Sequence, residues 1–122
     1  YRHLIVNANG VLTDGAYEIA GGKPAPGDLA WESGARVATS KPEAAWQVEM
    51  AIPAAVVAGG PLAAGTTWVA NLCRSRNITQ AGKDENQLYT WSPFVRRFFH
   101  DPANFGQLRF VGAAFGGILQ PS

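Results

Sequence analysis

The clearest alternation of apolar and polar positions runs through Ala45–Ile52, AWQVEMAI. Trp46, Val48, Met50 and Ile52 fall on one side of an extended chain, and Gln47, Glu49 and Ala51 on the other. This predicts a half-buried strand. Pro53 ends it, because proline has no N–H to give to a ladder. The following AAVVA has room for a turn or two of helix. Tyr1–Asn7 reads as another strand, Asn9-Gly10 as a hairpin turn, and Val11–Thr13 as the returning partner. Asp14-Gly15 reads as a second turn, Gly21–Asp28 as a loop, Arg36–Thr39 as a short strand and Lys41–Ala44 as a turn. Thr66–Arg74 is apolar on both faces in its first half, which predicts a central strand. Asn77–Gln87 reads as a polar loop, Leu88–Trp91 as a short strand and Gln107–Val111 as the last strand. The tail Gly112–Ser122 is small and apolar, with no period.

No helical period is sustained over ten residues. Short strands with regular turns predict an all-β fold: an antiparallel β-sandwich, jelly-roll-like, with short helical turns only. The length, 122 residues, fits a single domain, 1–122. Apolar residues make up 47% and charged residues 16%, enough apolar content to fold. The net charge of +1 gives no electrostatic reason to expect nucleic acid or a membrane surface as partner. No apolar run is long enough to span a bilayer. The single cysteine, Cys73, excludes an intrachain disulfide and a cysteine-based zinc site. The sequence starts at Tyr1 without an initiator Met and is expected to be a processed chain or a piece of a longer one.

Several local patterns fall in a recurring order. WESGARVATS (Trp31–Ser40) precedes AWQVEMAIP (Ala45–Pro53) and GTTWVANLCRSR (Gly65–Arg76). YTWSP (Tyr89–Pro93) and FHDPANFGQLRF (Phe99–Phe110) follow. The ordered set resembles the family-nine carbohydrate-binding modules and their look-alike domains. There a Trp-x-x-Glu-x-x-Ile-Pro strand, an Asn-x-x-Arg strand, a Trp-Ser segment and a Pro-x-x-Phe-Gly-x-Leu ending recur. The resemblance extends to Phe110. It implies a β-sandwich, non-catalytic, which grips sugar chain ends between two tryptophans and carries structural calcium.

Two departures accompany it. The family's first strands, with one sandwiching tryptophan and an acidic segment, have no counterpart before Tyr1. The other sandwiching tryptophan falls at Phe99, a sugar-contacting asparagine near Arg96, and a first-strand arginine at Ile5. A sandwich without its first strands has an open edge and a bare apolar face. The expectation is completion by a second chain, as a homodimer or by strand exchange, or a rearranged strand order.

The candidate chemistry is aromatic. Sugars lay apolar C–H faces on rings, while arginine and amide groups bond their hydroxyls. WSPFVRRFFHDPANFG (Trp91–Gly106) concentrates such groups in an irregular segment. Phe99, Trp91, Arg96 and Arg97 are the candidate ligand residues, with Trp31 as a second ring. Trp46 and Trp68 read as core. Glu49 and Arg74 read as a cross-strand pair, or alternatively as polar walls of a groove. Ser92, His100 and Asp101 form no recognisable triad, and Asp101 reads as the cap of a helical turn. His3 and His100 lack ligand spacing, and Asp14, Asp28, Asp84 and Glu85 are scattered, so calcium rests on the resemblance alone. Met50, a conceivable haem ligand, reads as core.

The expected function is that of a non-catalytic module from a secreted or periplasmic bacterial protein, which holds a partner enzyme on a glycan. The rival is a structural module that pairs with another chain, using an open edge and the tail GAAFGGIL (Gly112–Leu119). A small hydrolase ranks below both.

Overall fold

The computed structural model describes residues 1–20, 23–93 and 99–111. The protein is all-β, and among the described residues every ladder is antiparallel and two-stranded. Among the described residues, helix is confined to α1 (Ala54–Ala58) and a 3-10 turn at Pro102–Asn104. The chain divides into two compact units, Tyr1–Leu62 and Ala63–Ser122.

In the first unit, β1 (Arg2–Val6) pairs with β2 (Leu12–Ala16), from Arg2 opposite Ala16 to Val6 opposite Leu12. The predicted Asn9-Gly10 turn is present. The Asn7 side-chain oxygen accepts the N–H groups of Asn9 at 2.9 Å and Val11 at 3.0 Å, so the loop is closed by its own asparagine. The predicted turn at Asp14-Gly15 is not formed. Both residues lie inside β2, opposite Leu4 and His3. Gly15 serves close packing instead: a Cβ there would sit 3.2 Å from both Leu29 Cδ2 and Tyr17 Cε2.

The predicted loop at Gly21–Asp28 contains short regular pieces. β3 (Ile19–Ala20) pairs with β4 (Lys23–Pro24), and Asp28 bridges back to Ala16 through reciprocal backbone bonds of 3.0 and 2.7 Å. β5 (Arg36–Ser40) and β6 (Gln47–Ala51) form the next hairpin. The period-two reading holds in part, since Ile52, expected on the same shielded side as Val48, is 40% exposed. Val37, Thr39 and Val48 share the half-buried side, and Arg36, Ala38, Ser40, Gln47 and Glu49 the exposed one. The core role expected of Met50 is not met, since it is 41% exposed. Pro53 ends β6, as its chemistry requires, and α1 follows for five residues.

In the second unit the predicted strand Thr66–Arg74 is two strands. β7 (Thr67–Ala70) pairs with β10 (Gly106–Arg109), and β8 (Cys73–Gln80) pairs with β9 (Lys83–Thr90). Among the described residues β7 has one neighbour, β10, and the expected central place is not seen. The chain changes partners at Asn71-Leu72. The predicted loop Asn77–Gln87 is also overturned: it is the far half of the β8–β9 hairpin, turning at Ala81-Gly82. Its residues are polar because both sides of that ribbon face water, so the apolar alternation that marks a strand is missing. The expected Glu49–Arg74 cross-strand pair does not exist in the ladders. Glu49 lies opposite Ala38, and Arg74 opposite Tyr89.

Aromatic contacts hold each unit. Tyr1 stacks on Tyr17 at 5.1 Å in the first, and Trp68 meets Phe110 edge-on at 4.8 Å in the second. Such pairs contribute about 0.5–1.5 kcal/mol beyond area burial. Trp68, expected in the core, is half-buried. Trp46 is half-buried, and its indole N–H is buried with no hydrogen-bond partner among the described residues. No hydrophobic side chain among the described residues is fully buried.

Candidate functional site

Trp91 leaves the end of β9 with its N–H donated to the Leu72 carbonyl at 2.8 Å. Its ring lies against the backbone of Gly106 at the start of β10. A Cβ at Gly106 would come within 2.6 Å of Cζ3 and 2.9 Å of Cη2, so only glycine allows this seat. The residue keeps 40% of its surface exposed.

The next residue is tied from three directions. Ser92 donates its N–H to Asn71 Oδ1 at 2.9 Å, and Asn71 Nδ2 donates back to the Ser92 carbonyl at 3.2 Å. The asparagine side chain thus stands in for a strand partner where β7 gives way to β8. Ser92 Oγ donates to the Asn104 carbonyl at 2.7 Å, and Asn104 Nδ2 donates to Asp101 Oδ2 at 2.7 Å. Asp101 does head the 3-10 turn, as expected. Its carboxylate accepts from the Asn104 side chain instead of from a backbone N–H.

Of the candidate ligand residues, Trp91 and Phe99 lie in this segment of the second unit, and Phe99 is half-buried. Trp31 belongs to the first unit, half-buried, with the Arg2 guanidinium 5.2 Å from its ring centroid. One face of that ring is therefore engaged by a cation. Arg96 and Arg97 lie outside the described residues, as does the tail segment Gly112–Leu119.

Two shallow concave surfaces among the described residues carry no rings. One, of about 360 Å³, crosses β5–β6 and is lined by Arg36, Glu49 and Met50 among others. The other, of about 220 Å³, lies beside Asp14 and Glu32. Asp14 is already engaged: Ser33 gives it a hydroxyl bond of 2.6 Å and a backbone N–H bond of 2.7 Å. The Ser33 hydroxyl first, and its N–H second, hold this carboxyl below the ordinary aspartate range. No group of three His, Cys, Asp or Glu side chains converges among the described residues. Cys73 is largely exposed, yet desolvation pushes its thiol above the ordinary range, which lowers its thiolate content.

Reading the sequence placed Arg74 and Tyr89 on strands, and the strand at Leu88–Trp91 is present as the end of β9, but it missed the ribbon that joins them with Arg76 and Gln87. A signal was present in the β-branched Ile78-Thr79 pair and the Gly82 that follows it. Comparison with known protein families, curated proteins and solved structures returns no match.

Proposed function

We propose that this chain is a non-catalytic carbohydrate-binding β domain that holds a glycan for an attached or partner enzyme. The observation that carries the proposal is the seated, part-exposed indole of Trp91. The ring is fixed on Gly106, and its neighbour Ser92 is tied by Asn71 and Asn104. A rigid ring beside fixed polar groups suits the apolar face and hydroxyl rim of a sugar, because little ordering entropy is lost on binding. The ordered motifs of the resemblance point the same way, and to a sandwich in a secreted or periplasmic protein.

The deciding experiment is a screen of the purified chain against neutral and acidic polysaccharides by affinity electrophoresis and tryptophan fluorescence. Retarded migration with a fluorescence change is expected. Trp91→Ala should weaken binding about tenfold or more, the size of one lost ring contact. Phe99→Ala in a folded protein tests the second ring of the same segment. A folded wild-type chain that binds no polysaccharide refutes the proposal.

A second reading, assembly with another chain, is favoured by one observation. Among the described residues every ladder is two-stranded, and Val69, Leu72 and Val111 are exposed apolar residues of the second unit. Strand edges and apolar surface of this kind are what a pairing chain covers.

A further inference from the structure

We infer that one face of the β8–β9 ribbon, carrying Arg74, Arg76, Gln87 and Tyr89, binds carboxylate-bearing sugar units of an acidic polysaccharide. The inference rests on the carbohydrate reading above and names its ligand class.

Strand alternation puts Arg74 and Arg76 on the same side of β8. The register places Tyr89 opposite Arg74 and Gln87 opposite Arg76, so the four side chains form one block. The Arg74 guanidinium carbon lies 5.8 Å from the Tyr89 ring centroid. The Tyr89 hydroxyl donates to Gln87 Oε1 at 2.9 Å, which fixes the amide and leaves its N–H donors unused among the described residues. Both arginines are exposed, Tyr89 is 49% exposed, and neither arginine forms an ion pair among the described residues.

The two faces of the ribbon differ in what they leave unsatisfied. On the opposite face Asn86 Nδ2 donates to Ser75 Oγ at 2.7 Å and to Asn77 Oδ1 at 2.6 Å, and Thr79 donates to Asp84 at 2.7 Å. Those groups bond one another across the strands. The arginine face presents two guanidinium forks, an amide and a ring. Glu85, opposite Ile78, supplies a carboxylate one position beyond the block on this face, and Lys83 at the turn offsets it.

A guanidinium meets a carboxylate through two parallel N–H···O bonds, a geometry that neutral hydroxyls do not match. The tyrosine ring offers the stacking surface that any sugar uses. Together they select a uronate over a neutral sugar. Sulfate esters carry charge too, so the test must separate fork geometry from charge alone.

The experiment titrates the full chain with polygalacturonate, a neutral β-glucan and dextran sulfate, at low and moderate salt. Polygalacturonate is expected to bind best. Arg74→Gln with Arg76→Gln should weaken that binding by about tenfold or more, the scale of lost charge-assisted bonds. Circular dichroism melts check that the variant is folded, and Tyr89→Leu gives a second variant that leaves the charge intact. Preference for the neutral glucan overturns this inference while leaving the carbohydrate reading standing. Binding to no glycan overturns both. Equal binding of dextran sulfate and polygalacturonate, abolished together by salt, marks unselective charge attraction and overturns the inference. Unchanged affinity in the folded arginine double variant does the same.

Discussion

Ser33 is the one polar side chain among the described residues with no exposed surface, and its partner is the Asp14 carboxylate on β2. Its hydroxyl also accepts the Ala35 N–H at 3.1 Å, so a single serine joins β2 to the run leading into β5. Asp14 titrates below its ordinary range in the folded chain. A carboxyl lowered in this way adds stability above the unfolded aspartate pKa of about 4. That stability is lost as pH falls through the lowered folded value. Ser33→Ala removes the largest of the causes. We expect a lower melting midpoint at neutral pH and a shallower loss of stability between pH 5 and pH 3, read by circular dichroism melts. An acid limb as steep as the wild type's would place the pH dependence on other carboxylates. Little of this clamp was legible beforehand. Asp14-Gly15 has the composition of a turn, and nothing local says that the pair continues a strand. The close approach of Leu29 and Tyr17 to Gly15 is a tertiary fact.

At the level of the element, the β8–β9 ribbon is the largest departure from the sequence reading. Gln80 pairs with Lys83, so the turn is only Ala81-Gly82, with φ of 51° and 73°. Two central residues with positive φ define a type I′ turn, whose twist matches that of paired strands. Asparagine is the usual first residue there. Alanine in the left-handed region costs about 1–2 kcal/mol. Ala81→Asn is therefore expected to raise stability by about 0.5–1 kcal/mol, as a higher denaturant midpoint at unchanged slope. A lower midpoint would mean that the turn geometry differs from type I′. The β5–β6 hairpin shows the opposite case. Its turn at Lys41–Ala44 and its stop at Pro53 were legible, and so was the alternation as far as Val37, Thr39 and Val48, because that stretch has one half-buried side and one facing water. Where both sides are wet, polarity hides the strand.

At the scale of the whole molecule, the two readings of function make different demands. A sugar module needs its rings open to water, with or without a second chain. An assembly module needs a second chain on its open edges. Val69 is 64% exposed on β7, opposite Gln107 of β10. On the assembly reading the mass by light scattering rises with concentration, and Val69→Lys returns it to the monomer value, because a charge on an outward strand position opposes pairing. A constant monomer mass across a wide concentration range removes that reading and leaves the glycan screen to decide the first.

The sequence by itself determined the class of the fold and much of its punctuation. Period-two alternation, asparagine-glycine and proline signals, and the lack of any helical period act over a few neighbouring residues, so they can be read without coordinates. The partners of each strand were decided only in three dimensions. Thr66–Arg74 reads as one strand, yet the chain switches partners at Asn71, whose side chain takes up the backbone of Ser92. The candidate site divides in the same way. Trp91 and Phe99 stood out as aromatics in an irregular segment. The seat of Trp91 on Gly106, and the meeting of Arg74 with Tyr89 and of Arg76 with Gln87, come from ladder register. Register is set by turns and by which faces are shielded, and those are properties of the folded chain.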